Sequence, residues 1–144
     1  MPKRILWIDN DRVFLRPHRL RLDTEGYMVK QTYILKEGID DLEKDNYDLV
    51  ILDIMMPVKE HEEALFPPSI TDEGRKSGLI FYKKCINIMK EKRIPVLVFT
   101  IREDADIRNG FLDAGLSAKN FMTKSEGADT AVFLAKVKEL LAEG

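Results

Sequence analysis

Two hydrophobic rhythms alternate along the chain. Short continuous apolar runs, Ile5-Leu6-Trp7-Ile8, Leu49-Val50-Ile51-Leu52 and Val96-Leu97-Val98-Phe99, are bounded by polar residues. That is the pattern of strands buried on both faces. They predict strands over residues 3–9, 47–53 and 95–100, with Pro95 at a first position, where a strand tolerates it. Weaker runs over 27–33 (Val29, Thr32, Tyr33) and 119–123 (Phe121, Met122) predict a second and a fifth strand. Between the runs, apolar residues recur at three and four, the helical spacing. Predicted helices cover 12–25 (Val13, Phe14, Leu20 and Leu22 inward, Gly26 as stop), 35–45 (Leu35, Ile39, Leu42) and 78–92 (Leu79, Ile80, Tyr82, Cys85, Ile86, Met89). Two more cover 104–114 (Ile107, Phe111, Leu112, then Gly115) and 129–142 (Val132, Phe133, Val137, Leu140, Leu141), the last capped by Asp129 or Ser125. Pro17 falls inside the first helix and predicts a distorted first half, because it removes a hydrogen bond.

Strand and helix alternate five times, which predicts an α/β fold: a parallel sheet with helices on both faces and right-handed crossovers. Strands one, three and four are the most uniformly apolar and belong in the centre. This selects the flavodoxin-like doubly wound (βα)5 arrangement, a five-stranded sheet in the order 2-1-3-4-5. Residues 58–77 fit neither rhythm. They carry Pro67-Pro68, several acids and Gly74, and are expected to form a long loop inside a single domain spanning 1–144.

Bulk properties exclude more than they identify. The 144 residues suffice for one buried core, and 44% hydrophobic with 33% charged residues is an ordinary globular composition. A net charge of −2 gives no reason to expect nucleic acid or a membrane as partner. One cysteine, Cys85, no leader-like start and no apolar run long enough to span a bilayer point to a cytoplasmic location.

The chemistry lies at the strand ends. Strand one ends Asp9-Asn10-Asp11, strand three at Asp53, strand four at Thr100 and strand five at Lys124. Parallel strands bring these ends to one edge of the sheet, where ligands bind in such folds. Clustered carboxylates raise one another's proton affinity unless a cation sits among them, and oxygen-only donors suit Mg²⁺. A lysine and a hydroxyl beside them complete a site for a phosphoryl group, with Asp53 as nucleophile.

These residues resemble the receiver domain of two-component response regulators. The resemblance runs from Ile5 to Leu141. It rests on Asp9-Asn10-Asp11, on Asp-x-x-Met-Pro (Asp53 to Pro57), on an apolar strand ending in Thr100, and on Lys124 after the fifth strand. It implies a Mg²⁺-dependent phosphoacceptor, Asp53, charged by a histidine kinase or phosphotransfer protein. Asp9, Asn10, Asp53 and the Met55 carbonyl would hold the metal, with Asp11 as a possible substitute ligand. Lys124 would pair with the phosphate, and Thr100 and Phe121 would switch the face made by predicted helix 4, strand 5 and helix 5 for a downstream protein partner. No separate enzymatic domain is implied.

Three positions depart from the family pattern: Asn10 replaces an acid, Ile101 a small residue and Ser125 a proline. Asn10 and Ile101 motivate a second reading, a degenerate receiver that binds partners without being phosphorylated. A third reading takes Asp9-Asn10-Asp11 as the Asp-x-Asp nucleophile of haloacid-dehalogenase-type phosphatases, with Asp9 attacking and Asp11 as acid/base. His18 and His61 lack ligand spacing and are expected at the surface. Cys85 is expected to be an inert buried thiol. Arg12, Arg16, Arg19 and Arg21 are expected to form a solvated face, and the loop over 58–77 to be a surface excursion or a partner-specific lid. Trp7, two residues before Asp9, is a candidate fluorescent reporter.

Overall fold

The computed structural model describes residues 2–72, 74–101 and 104–143. Its five parallel strands are β1 (Arg4–Ile8), β2 (Met28–Thr32), β3 (Leu49–Leu52), β4 (Val96–Thr100) and β5 (Phe121–Thr123), in the order β2-β1-β3-β4-β5. The continuous apolar runs occupy the centre, as expected. Among the described residues six helices accompany them: α1 (Arg16–Thr24), α2 (Leu35–Lys44), α3 (Pro68–Thr71), α4 (Ser77–Glu91), α5 (Ala105–Asp113) and α6 (Thr130–Leu141). Strand alternation sends successive residues to opposite faces and so builds two cores. Ile5, Trp7, Leu49, Ile51, Leu97 and Phe99 pack with Leu22 of α1 and Phe133, Val137 and Leu140 of α6. Leu6, Ile8, Val50, Leu52, Val96 and Val98 pack with α2, α4 and α5.

The first helix begins later than its apolar spacing predicts. Pro17 occupies the first turn of α1, where its missing N–H has no intrahelical partner to lose, so it starts the helix and does not distort it. Asp11 accepts the backbone N–H groups of Val13 (3.0 Å) and Phe14 (2.9 Å), which closes a turn before the helix. Val13, Phe14 and Leu20 therefore lie exposed, and Leu15, His18 and Leu22 face inward. Leu112 and Val132, also expected inward, are exposed.

His18 corrects the surface expectation. It is buried, its Nε2 lies 2.7 Å from the Gly127 carbonyl, and its ring packs against Phe14, Phe99 and Phe133. Cys85 is buried as expected, and burial pushes its thiol up to about 12. Arg12 stacks 3.8 Å from the centre of the Tyr33 ring, and Arg19 donates to the Val29 carbonyl (2.8 Å), so two of the four arginines are anchored to β2 and its exit.

Residues 58–77 are not a structureless excursion. They hold a 3₁₀ turn, Glu60–Glu62, and the short helix α3. Phe66 is fully buried in the core shared by α2 and α4. Glu62 is fully buried too; its carboxylate accepts the N–H of Lys36 in the first turn of α2 (3.0 Å) and that of Lys59 (3.0 Å). Ser77 accepts the Met56 N–H (2.9 Å) and donates to the Met56 carbonyl (2.6 Å). Arg75 reaches Asp72 (2.7 Å), Asp104 (2.9 Å) and Asp106 (2.9 Å), tying the segment to the entry of α5. The anchors fall at irregular intervals, which is why no period announced them.

Candidate functional site

Each candidate side chain sits one step beyond, or at the end of, a strand whose ladder continues to hold it. Asp9 donates its N–H to the Thr32 carbonyl (3.1 Å), Asp53 to that of Ile8 (3.0 Å) and Lys124 to that of Thr100 (2.6 Å). The register aligns the ends, with Ile8 beside Leu52, Leu52 beside Val98 and Thr100 beside Thr123. Residues far apart in sequence thus reach one edge, and each is positioned by strand pairing.

Helix α4 closes on that edge. Gly78 donates to the Ile54 carbonyl (2.8 Å), and a Cβ at Gly78 would lie 2.2 Å from the Asp53 carbonyl oxygen. Only a residue without a side chain lets the helix start this near the strand end.

Asp9 is 1% exposed, Lys124 4% and Asp53 8%. The Lys124 ammonium stands 3.0 Å from Asp9 Oδ2 and 3.8 Å from Asp53 Oδ2, so one cation is shared by two buried carboxylates. Asp9 Oδ1 accepts the Asp11 N–H at 2.9 Å. Its Oδ2 has Lys124 as an ion-pair neighbour, but no donor is aligned on it as a hydrogen bond. Burial, and then the charge of Asp53, push the Asp9 carboxyl up to about 6; Lys124 acts in the opposite direction but does not cancel them. One positive charge is too little for two desolvated acids.

This donor set fits a hard divalent cation. It offers two carboxylates, one with a buried unaligned oxygen, and a net demand for positive charge. Among the described residues no three His, Cys, Asp or Glu side chains gather as a metal-binding group, so Asp9 and Asp53 stand as a pair. Asn10 is exposed, and Asp11 uses one carboxylate oxygen in the turn before α1. Met55 exposes its side chain, which leaves only its backbone carbonyl to consider as a ligand.

Thr100 is buried at the end of β4, and Phe121 is buried at the start of β5, edge-on to Phe111 (5.7 Å) with the Arg108 guanidinium 4.9 Å from its ring centre. Ile101 is 71% exposed. With Phe14, Asp11, Ser125 and Ala128 it lines an open cleft of about 410 Å³ that reaches Lys124. No described helix is long and apolar enough to cross a membrane. Gly78, Glu62 and Ser77, which brace the edge, carried no sequence signal of that role, since each acts through a contact with a distant backbone.

No family model matches the chain. Response regulator MprA of Mycolicibacterium vanbaalenii is 30% identical over 141 residues, 98% of this chain and 51% of the relative. Response regulator MprA of Mycobacterium bovis (strain BCG / Pasteur 1173P2) is 28% identical over the same length. The chain spans about half the length of the curated relatives it matches. Among solved structures, a CheY-like response regulator receiver domain protein from Methanospirillum hungatei JF-1 aligns with a TM-score of 0.75 at 24% identity, covering 99% of this chain and 96% of that one. A putative response regulator from Chloroflexus aurantiacus J-10-fl aligns with a TM-score of 0.73 at 20% identity, covering 99% of both chains. In sequence this chain is similar to about half the length of response regulators, and its fold is the flavodoxin-like one found in CheY-like receiver domains.

Proposed function

We propose that this chain is a phosphoacceptor of a two-component phosphorelay, and that Asp53 takes a phosphoryl group from a histidine kinase or phosphotransfer protein. The observation that carries this reading is the buried pair Asp9 and Asp53 sharing the Lys124 ammonium at the C-terminal edge of the sheet. A carboxylate oxygen of Asp53 forms the new bond to phosphorus as the phosphorus–nitrogen bond of phosphohistidine breaks, and the imidazole leaves with the electron pair. Lys124 offsets charge on the phosphoryl oxygens. Asp9, Asn10, Asp53 and the Met55 carbonyl would hold Mg²⁺, which supplies further charge neutralisation when bound.

Thr100 and Phe121 are the proposed switch residues. Thr100 is joined through its carbonyl to Lys124, and Phe121 packs on α5, so both connect the site to the face of α5, β5 and α6. That face is the proposed surface for a downstream protein, with no nucleic acid or membrane contact, and a cytoplasmic location fits the single buried thiol. The domain catalyses no chemistry beyond its own phosphotransfer and dephosphorylation.

Incubation with acetyl phosphate and Mg²⁺ tests the reading. One phosphoryl group per chain is expected, absent in Asp53→Asn; no adduct with acetyl phosphate or a cognate kinase refutes it. The exposed Asn10 and the two-acid pocket favour one other reading, a receiver that binds partners unphosphorylated. It predicts that Trp7 fluorescence does not respond to Mg²⁺.

A further inference from the structure

A second concave site lies at the opposite edge of the sheet from Asp53. It is a pocket of about 360 Å³ between the C-terminal end of α4, the start of β4 and the turn before β5. That volume is in the range of small-ligand sites. Its walls include the apolar side chains of Met89, Ile94 and Leu116, and its lining carries the exposed Lys90, Arg93 and Lys119, with Glu143 the one acid among the described residues.

The side-chain amide of Asn120 on the floor is already engaged. Asn120 donates to the Val96 carbonyl (2.9 Å), and its own carbonyl accepts the Ser117 N–H (3.1 Å). The lining is more apolar than polar, with Met89, Ile94 and Leu116 supplying apolar contact. The rim differs. Lys119 is paired with Glu143 at 2.6 Å, whereas Lys90 and Arg93 form no ion pair among the described residues.

Arg93 also stands where its backbone disfavours it. Its φ is +56°, at the position after the α4 cap where the Arg93 N–H meets the Lys90 carbonyl (3.2 Å) and the Ile94 N–H meets the Met89 carbonyl (2.8 Å). Glycine is the default residue there, because a Cβ is strained in the left-handed region. The fold carries that strain and places a guanidinium at the mouth of an apolar pocket.

We propose that this pocket binds a small amphipathic carboxylate, an apolar body in the cavity with its carboxylate against Arg93 and Lys90. Charge complementarity selects the anion: among the described lining residues three cations stand against one carboxylate, and Lys119 alone is paired with it. The apolar walls select an organic body over a bare inorganic ion. The proposal is independent of phosphorylation at Asp53.

The test is a titration of ¹⁵N-labelled protein with 4-phenylbutyrate and, separately, with the neutral 4-phenylbutanol. Shifts confined to Leu116, Asn120 and their neighbours are expected, with the alcohol about tenfold weaker, since it forgoes a charge-assisted contact. Arg93→Gly is expected to weaken the carboxylate about tenfold without lowering Tm, because it relieves the backbone while removing the cation. Glu143→Gln is expected to tighten binding by releasing Lys119. Equal affinity for acid and alcohol, indifference to Arg93→Gly, shifts centred on the Lys124 cleft, or no saturable binding of either probe would each overturn the proposal.

Discussion

Replacing Asp9 by Asn is expected to make the domain more stable at neutral pH while disabling its site. The Asp9 carboxyl is pushed up to about 6 from a usual 3.8, chiefly by burial and then by Asp53. Each tenfold change in proton affinity corresponds to about 1.4 kcal/mol, so ionised Asp9 costs the folded state on the order of 3 kcal/mol at pH 7. The sign follows from proton counting. Between about pH 4 and 6 the unfolded chain has released this proton and the folded chain still holds it. Stability is therefore intact below about pH 4, falls across that window, and is level above it. Asn mimics the protonated acid and can still accept the Asp11 N–H that Asp9 Oδ1 accepts. The loss of the Lys124 contact, which leaves that ammonium only Asp53 at 3.8 Å, is already contained in this net shift. A net gain of about 1–3 kcal/mol at pH 7 is expected, shrinking to nothing near pH 4. Urea unfolding followed through buried Trp7 measures it at a series of pH values. The readout is the difference between the two proteins. Asp106 and Glu126, held below their usual range by Arg75 and by the Thr123 N–H, make contributions of opposite sign that both proteins share. An Asn variant less stable than wild type at pH 7, or a difference that does not vary with pH, would refute the reasoning.

Three further outcomes follow from the same contacts. Mg²⁺ is expected to raise the Tm of the wild type at pH 7.5, to do so much less at pH 5 where Asp9 holds its proton, and to do nothing for Asp9→Asn; equal stabilisation of both proteins would place the cation elsewhere. Gly78→Ala puts a Cβ 2.2 Å from the Asp53 carbonyl oxygen, so a loss of about 1–3 kcal/mol in urea unfolding is expected, with an unchanged Tm counting against the close approach. Phe66→Ala is expected to cost about 3–5 kcal/mol, as for a core aromatic; a loss under about 1 kcal/mol would mean that residues 58–77 are the loose loop their composition suggests.

The strands were readable because a fully buried parallel strand leaves an unmistakable apolar run, and the sheet order followed from which runs were purest. The geometry of the candidate site was readable for a related reason: an acid at the end of such a run has no packing role, so Asp9 and Asp53 stood out, and the parallel sheet brings them beside Lys124, whose N–H meets the Thr100 carbonyl. What escaped detection depends on single contacts between distant segments. His18 reads as a polar helix residue until Gly127 supplies a carbonyl partner and Phe99 and Phe133 supply a wall. Glu62 reads as a solvated acid until the first turn of α2 presents an N–H to it. Residues 58–77 lack a period because Glu62, Phe66 and Ser77 are irregularly spaced anchors. Val13 and Phe14 fit a helical stripe, but Asp11 diverts the backbone before the helix starts.

Everything proposed for the site depends on Asp53 being the residue that carries the phosphoryl group. Borohydride reduces an acyl phosphate, so treating the phosphorylated protein with borohydride and mapping peptides by mass spectrometry marks the residue directly. Reduction at Asp53 alone is expected, abolished in Asp53→Asn. Reduction at Asp9, or at no aspartate under conditions that load one phosphoryl group, would contradict it.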